Sequence, residues 1–447
     1  MTGATGTNVE AIVDYTYIWV GVDEVYNASI SVDDNTIVAQ SVMHSAVNSL
    51  TLDASANLTE GDLSSPTSAI NSLQVANDLS SSYAEIDEVY IGNEDYADLD
   101  PDGFPYGAAF SVSGNLISGS STVNVANNSL DISGDANIDG NGLDGESIVV
   151  LPIFTGDSTY SLANHSVLNT QVSSADSIVE MGLDYYVEIG IYDDDDYLDI
   201  NNDALTVDNN TIQGIALNNA AVNTAVLNAG ANSDTTAHVA NSQVVFGDVA
   251  TVVAMEDIYI YAETEEAVSS AVSVSGNDIL ASSTSNYAFN SVDTHAGSNL
   301  QEGSGATAIS VGDLGVDDTD YAVLNSQVTG GTLTLAYIEG AGITQEIDDY
   351  DVSNDDVTST VDGNTIIAEA ISNDAVNLIS LSAGNPSRPS AGIVSLQCNE
   401  SSAAIASISG AQIGTDAYGG SGSRHSVSGN TISATSIGNR GVNGITQ

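Results

Sequence analysis

Asp98-Leu99-Asp100-Pro101-Asp102-Gly103 sets alternate carboxylates on a glycine turn. That spacing lets oxygen donors converge on one hard cation, so Asp98, Asp100 and Asp102 are the candidate calcium ligands and calcium the candidate cofactor. The motif is not an EF-hand: its twelfth position falls on Ala109, and no helical pattern flanks it. The competing reading is a solvated acidic turn, which applies with more force to Asp193 to Asp196 with Asp199, and to Asp317, Asp318 and Asp320. The five histidines (His44, His165, His238, His295 and His425) are scattered without metal-ligand spacing, and no G-x-S-x-G elbow stands out. In a chain with 61 acidic residues, two neighbouring carboxylates do not mark a glycosidase. Residues 1–387 hold neither Lys nor Arg with which to grip an acidic substrate. The chain reads as a non-enzyme. Trp19 and the tyrosine-rich strands form either a sugar-stacking face or cross-strand pairs that stabilise a sheet.

More regular than any of these is a pair of asparagines 13 positions apart that recurs six times. The pairs are Asn35/Asn48, Asn115/Asn128, Asn210/Asn223, Asn277/Asn290, Asn364/Asn377 and Asn430/Asn443. The surrounding consensus is [ST]-V-x-x-N-x-I-x-A…N-x-A-V-N-x-L-x-L-x-A. Apolar and polar residues alternate on both sides of it (Val32, Ile37, Ala39; Asn48, Leu50, Leu52), which is the period of β-strands. A Ser/Gly/Asn-rich stretch between them reads as a turn or arch. Between these halves lies a second pattern. It opens on an N-S-Q-V-like strand (Asn71 and Gln74, Asn169 and Gln171, Asn241 and Gln243, Asn325 and Gln327, Ser395 and Gln397) and often continues into an acidic tyrosine strand such as EIDEVYIG or MEDIYIYAE. Length variation is concentrated there, as expected of loops on one face of an array.

The elements that must position these residues are therefore strands. Gly numbers 41, no stretch keeps a 3.6 period, and the chain is expected to be all-β. In a β-solenoid-like repeat array, equivalent strands stack in parallel and an asparagine can bond the identical amide ~4.8 Å above and below. Tandem β-sandwich domains are the alternative, since the unit spacing of 66 to 95 residues suits them. The organisation reads as an N-terminal partial repeat (1–30), five units (31–425) starting near 31, 111, 206, 273 and 360, and a C-terminal half repeat (426–447).

Recurrent Asn and Gln in Ser/Gly/Ala-rich strand–turn–strand units resemble curli-type amyloid fibre subunits and the asparagine-rich β-strand repeats of bacterial surface proteins and appendages. The resemblance implies a secreted, repetitive, structural protein. The unit here is longer than a curli repeat, and its acidic tyrosine strands have no counterpart there.

Composition narrows the partners. The 447 residues carry a net charge of −58, with Arg388, Arg424 and Arg440 as the only cationic side chains besides histidine. That excludes nucleic acid and anionic membrane, both of which need basic patches. Like chains repel at low ionic strength, whereas at ~1 M salt the Debye length is ~3 Å and the repulsion is screened. Hydrophobic residues at 42% supply ample core, so disorder is not the reading despite the charge. Cys398 is the only cysteine, which leaves no intrachain disulfide. The opening MTGATGTNVEAIVDY lacks the basic and apolar regions of a Sec signal, and no apolar run reaches the ~18 residues of a membrane span. An extracellular, cell-surface or virion location then calls for a processed form, another export signal or release by lysis.

Residues 8–27 resemble the tail of the second pattern, and the last 22 residues are a first half. Asp14, Asp23 and Glu24 near one end, with Arg424 and Arg440 near the other, suggest complementary contacts. The expected function is a structural subunit of an extracellular filament, sheath or appendage that self-assembles head to tail. The alternative is an adhesin or phage fibre that binds surface glycans through its variable loops.

Overall fold

The structure is a computed structural model that describes residues 6–22, 27–55, 68–95, 107–138, 148–150, 159–193, 199–264, 266–301, 308–311, 314–347, 356–385, 389–417 and 421–447. It is an all-β solenoid. Each first-pattern half supplies a short strand and a long strand, and each second-pattern half supplies one further strand followed by either one long segment, as in Ser81–Asp95, or two shorter ones. Equivalent segments of successive coils pair in parallel, so the sandwich alternative, in which each unit would close on itself, is not the arrangement seen.

Among the described residues four large parallel stacks result, beside a two-stranded parallel pair of Asp199–Asn201 with Glu266–Val268. The short sheet runs Ser29–Asp33, Ala109–Ser113, Ala204–Asp208, Ala271–Ser275, Thr358–Asp362 and Arg424–Ser428. The long sheet runs Thr36–Ala54, Leu116–Gly134, Thr211–Ala229, Asp278–Leu300, Thr365–Asn385 and Thr431–Thr446. The glutamine sheet comprises Ser68–Ala76, His165–Ser173, Ala237–Phe246, Tyr321–Gly330 and Ala391–Glu400. The tyrosine sheet stacks Asn8–Val22 on Ser81–Asp95, and that strand in turn on paired segments beginning with Asp176–Met181 and Val187–Asp193. A small antiparallel sheet formed by Ile148–Val150, Thr159–Leu162, Ala308–Val311 and Leu314–Asp317 stands outside this scheme. Its Ile309 and Val311 cover the outer Leu168, Ala240 and Leu324 of the glutamine sheet.

Corners are set by residues in the left-handed region. Immediately before each first-column asparagine stand Asp34, Gly114, Asn209, Gly276, Gly363 and Gly429, with φ of 57, 68, 56, 65, 68 and 67°. Only Gly, Asn and Asp visit that region readily, which explains why this otherwise variable consensus position is held to those three types. A second corner column (Asn27, Gly107, Asn202, Ser269, Asp356, Gly422) precedes the short strands in the same way. At Gly363 an added Cβ would meet only a backbone nitrogen of Gly276 at 3.9 Å, so conformation and not space limits substitution. Gly363→Asn is therefore expected to be tolerated, whereas Gly363→Val should lose about 1–2 kcal/mol in urea unfolding. Equal effects of the two substitutions would contradict this account.

The core follows from the alternation. Ile117, Ile212, Ile279 and Ile366 form one inward column, and Val112, Val207, Val274 and Val361 another, all fully buried. They pack with Ile86, Ile189, Ile260 and Ile343 of the tyrosine sheet in one cluster. A second cluster joins Leu130, Leu227 and Val292 of the long sheet to Val167, Val239 and Val323 of the glutamine sheet. The expected turn inside the first-pattern half is not a break. The long strand pairs on both sides of Met43, Val123, Asn218, Ser285 and Ser372, but its in–out alternation changes phase there, so one strand turns a corner and serves both clusters.

Candidate functional site: amide ladders and end rungs

Because equivalent strands stack in register, identical side chains are brought together once per coil. Asn35 donates Nδ2–H to Asn115 Oδ1 (2.9 Å), and the series continues through Asn210 (2.9 Å), Asn277 (3.0 Å), Asn364 (3.1 Å) and Asn430 (3.1 Å). Backbone groups fix which amide atom is which. The Asn115 oxygen also accepts the N–H of Asn35, and its nitrogen also donates to the carbonyl of Val32. The same backbone anchoring recurs at Asn210, Asn277, Asn364 and Asn430. The second column, Asn48, Asn128, Asn223, Asn290, Asn377 and Asn443, is bonded at 2.7 to 2.9 Å with the same polarity. All twelve expected ladder asparagines therefore lie in two columns. Their interior members are fully buried, where an unbonded amide would cost about 1–3 kcal/mol.

Further columns lie outside the two asparagine pairs. Asn124, Asn219, Asn286, Asn373 and Asn439 make a third column, bonded at 2.8 to 2.9 Å, with His44 Nδ1 at its head. The consensus N-x-A-V-N already contains it, but histidine in the first copy hides the constancy. A glutamine column (Gln74, Gln171, Gln243, Gln327, Gln397) runs with opposite polarity: each nitrogen donates to the preceding oxygen at 2.7 to 2.8 Å. Its second hydrogen reaches across to long-strand carbonyls such as those of Ala220, Tyr287 and Asp374. Asn137, Asn232, Asn299 and Asn385 form another column of this opposite polarity. Asn169, Asn241 and Asn325 stack and also accept from the second asparagine column at 3.3 Å. Asn71 does not join them. Gln74 takes the glutamine register, which sets Ser72 opposite Asn169 and turns Asn71 outward.

Asp98, Asp100 and Asp102 lie outside the described residues, as do Asp23, Glu24 and Arg388. Among the described residues no group of three or more His, Cys, Asp or Glu side chains is placed to hold a metal ion. Asp14 is exposed on the first tyrosine-sheet strand, and Arg424 is exposed on the last short strand. Arg440, expected at a subunit contact, is engaged within the chain: it binds Asp374 at 2.8 Å and Glu369 at 3.1 Å on the preceding rung. Asp320 is a buried corner residue that binds the backbone N–H and hydroxyl of Ser390.

His165 and His238 are fully buried, and desolvation lowers each to a pKa of about 4. His165 faces Ser68; His238 faces Ser161 and the Thr319 carbonyl, with Asp320 nearby opposing the shift. Between pH 6.5 and 4 the unfolded chain binds more protons at these positions than the folded one, so their contribution to stability falls as the pH is lowered through that window. His238→Gln should flatten the pH dependence of the urea midpoint between pH 7 and 4 relative to the parent. An unchanged slope would exclude His238 as a source of that dependence.

On the last described rung, columns buried elsewhere are open. Val427, Ile432 and Ile445 continue columns that are buried on the inner coils, yet are about half exposed here. At the other edge Val32 and Ile37 stay buried, with Ala11, Val13 and Ile18 of the first tyrosine-sheet strand packed against the same cluster, while Val38 and Val47 are exposed on the outward face. Comparison with protein-family models, curated proteins and solved structures finds no match.

Proposed function

We propose that the protein is a structural subunit of an extracellular filament, sheath or surface appendage that grows head to tail. The observation that carries this reading is the opposite chemistry of the two solenoid edges. Asn35 and Asn48 donate inward, which turns their oxygens toward the first edge. Asn430 and Asn443 accept from the rung before and keep an amide hydrogen for a rung beyond. Continuing the register by one coil sets Asn35 of a second copy on Asn430, Asn48 on Asn443, Val32 on Val427 and Ile37 on Ile432. The contact is heterologous and does not close, so it generates a fibre. High ionic strength or calcium would relieve repulsion between chains of charge −58.

A second reading, an adhesin or phage fibre that binds surface glycans, is supported by the exposed Tyr15, Tyr17 and Trp19 on the first tyrosine-sheet strand and Tyr185 and Tyr186 in the bend before Val187–Asp193. Electron microscopy of the purified protein in molar salt distinguishes the two. Long unbranched filaments are expected; single particles that bind cells or glycans would favour the second reading.

A further inference from the structure

The outer face of the tyrosine sheet holds a groove of about 300 Å³ that the assembly reading does not use. Tyr186, Tyr259 and Tyr261 line it together with Glu188, Glu263 and Glu346. Its concavity comes from the sequence. Outward positions that carry Tyr259 and Tyr261 on one coil are followed by Gly342 and Thr344 on the next, then by Gln412 and Gly414. A Cβ at Gly342 would stand 2.9 Å from the Tyr259 ring, so glycine there makes room for the ring to lie along the axis. Tyr186 and Tyr259 have ring centroids 5.8 Å apart and tilted by 59°, so two aromatic walls meet at an angle.

We propose that this groove is a binding site for a small organic ammonium ion. Three features select that class. Aromatic faces attract cations through their quadrupole, and tilted rings enclose a rounded cation better than a flat sugar. Glu188 is largely desolvated, and burial pushes its carboxyl up, with a single hydrogen bond from Tyr261 at 3.3 Å working against that shift. A cation seated beside it would restore the charged form. No basic side chain is among the lining residues to do so. The third feature excludes a bare metal ion, because the three carboxylates are not among any group placed to coordinate one.

Choline chloride is a suitable probe, with its neutral carbon isostere 3,3-dimethylbutanol and calcium chloride as comparisons, titrated by calorimetry at physiological ionic strength. Choline is expected to bind at one site at least tenfold more tightly than the isostere. Tyr259→Ala and Glu188→Gln should each weaken it about tenfold, and Tyr259→Phe should retain it. Circular dichroism of each variant confirms that the sheet persists. Equal binding of choline and isostere would overturn the proposal. So would choline binding that Tyr259→Ala leaves unchanged, or that calcium displaces at equal concentration, since both describe diffuse attraction to an acidic surface.

Discussion

Replacing Asn223 by aspartate is expected to lower the stability of the solenoid by about 4 kcal/mol or more at neutral pH, read as a shift of the urea midpoint. Asn223 is fully buried, accepts from Asn128 at 2.7 Å, and donates to Asn290 at 2.9 Å and to Asn241 at 3.3 Å. A carboxylate keeps the accepted bond but loses both donated ones, and its oxygens then face two amide oxygens inside a dry core. Buried and unpaired, such a charge is among the costliest single changes available to a protein. The sign of the pH dependence provides the check. Burial raises the folded-state pKa of the new carboxyl above the unfolded value of ~3.9, so the folded chain holds its proton longer. The deficit should be smallest below pH 4, where the protonated acid can donate again, and should grow as the pH rises to the raised pKa. Asn223→Leu, which titrates nothing, should show a deficit that does not vary with pH. A near-neutral Asn223→Asp, or parallel pH profiles for the two variants, would mean that the column is ornamental.

The second large effect concerns growth. Ala434→Pro should abolish filaments while leaving the melting of the single subunit nearly unchanged. Thr431 donates its N–H to Asn364 on the preceding coil. In the alternating pattern of a parallel ladder, the N–H groups of Ile432 and Ala434 therefore face outward. Proline removes a donor and is tolerated on an edge strand for that reason. Ala368→Pro, the same column one coil inward, deletes a bond between coils and should lower the unfolding midpoint instead. Filaments from Ala434→Pro as abundant as from the parent would show that this edge is not the growing surface.

Much of this architecture can be read from the letters. Fixed 13-residue spacing cannot survive coil after coil unless both asparagines are held by their neighbours, and period-two alternation leaves a strand as the only element. Three things were less legible. In the glutamine strands the spacing between the asparagine and the glutamine is three in Asn71/Gln74 and two in Asn169/Gln171, and sequence offers no rule for which residue keeps register. The structure keeps the glutamine, whose second hydrogen is tied to a long-strand carbonyl that the sequence does not display. The corner in the long strand leaves no gap in backbone pairing and appears only as a phase change in burial. The contribution of Arg440 could not be assigned from charge distribution, because its partner Asp374 sits one coil earlier, 66 positions away.

The polarity of the amide columns has a further consequence. A row whose dipoles all point one way behaves as a one-dimensional ferroelectric: each amide polarises the next, and reversing one member costs a bond on either side. The asparagine rows that contain Asn115, Asn128, Asn124 and Asn169 are poled toward the last coil. The glutamine row and the Asn137 row are poled against them. Opposed rows return part of the field within the same cross-section, so the potential at the tip need not climb in proportion to length. Every added coil would still inherit the orientation of the one before it.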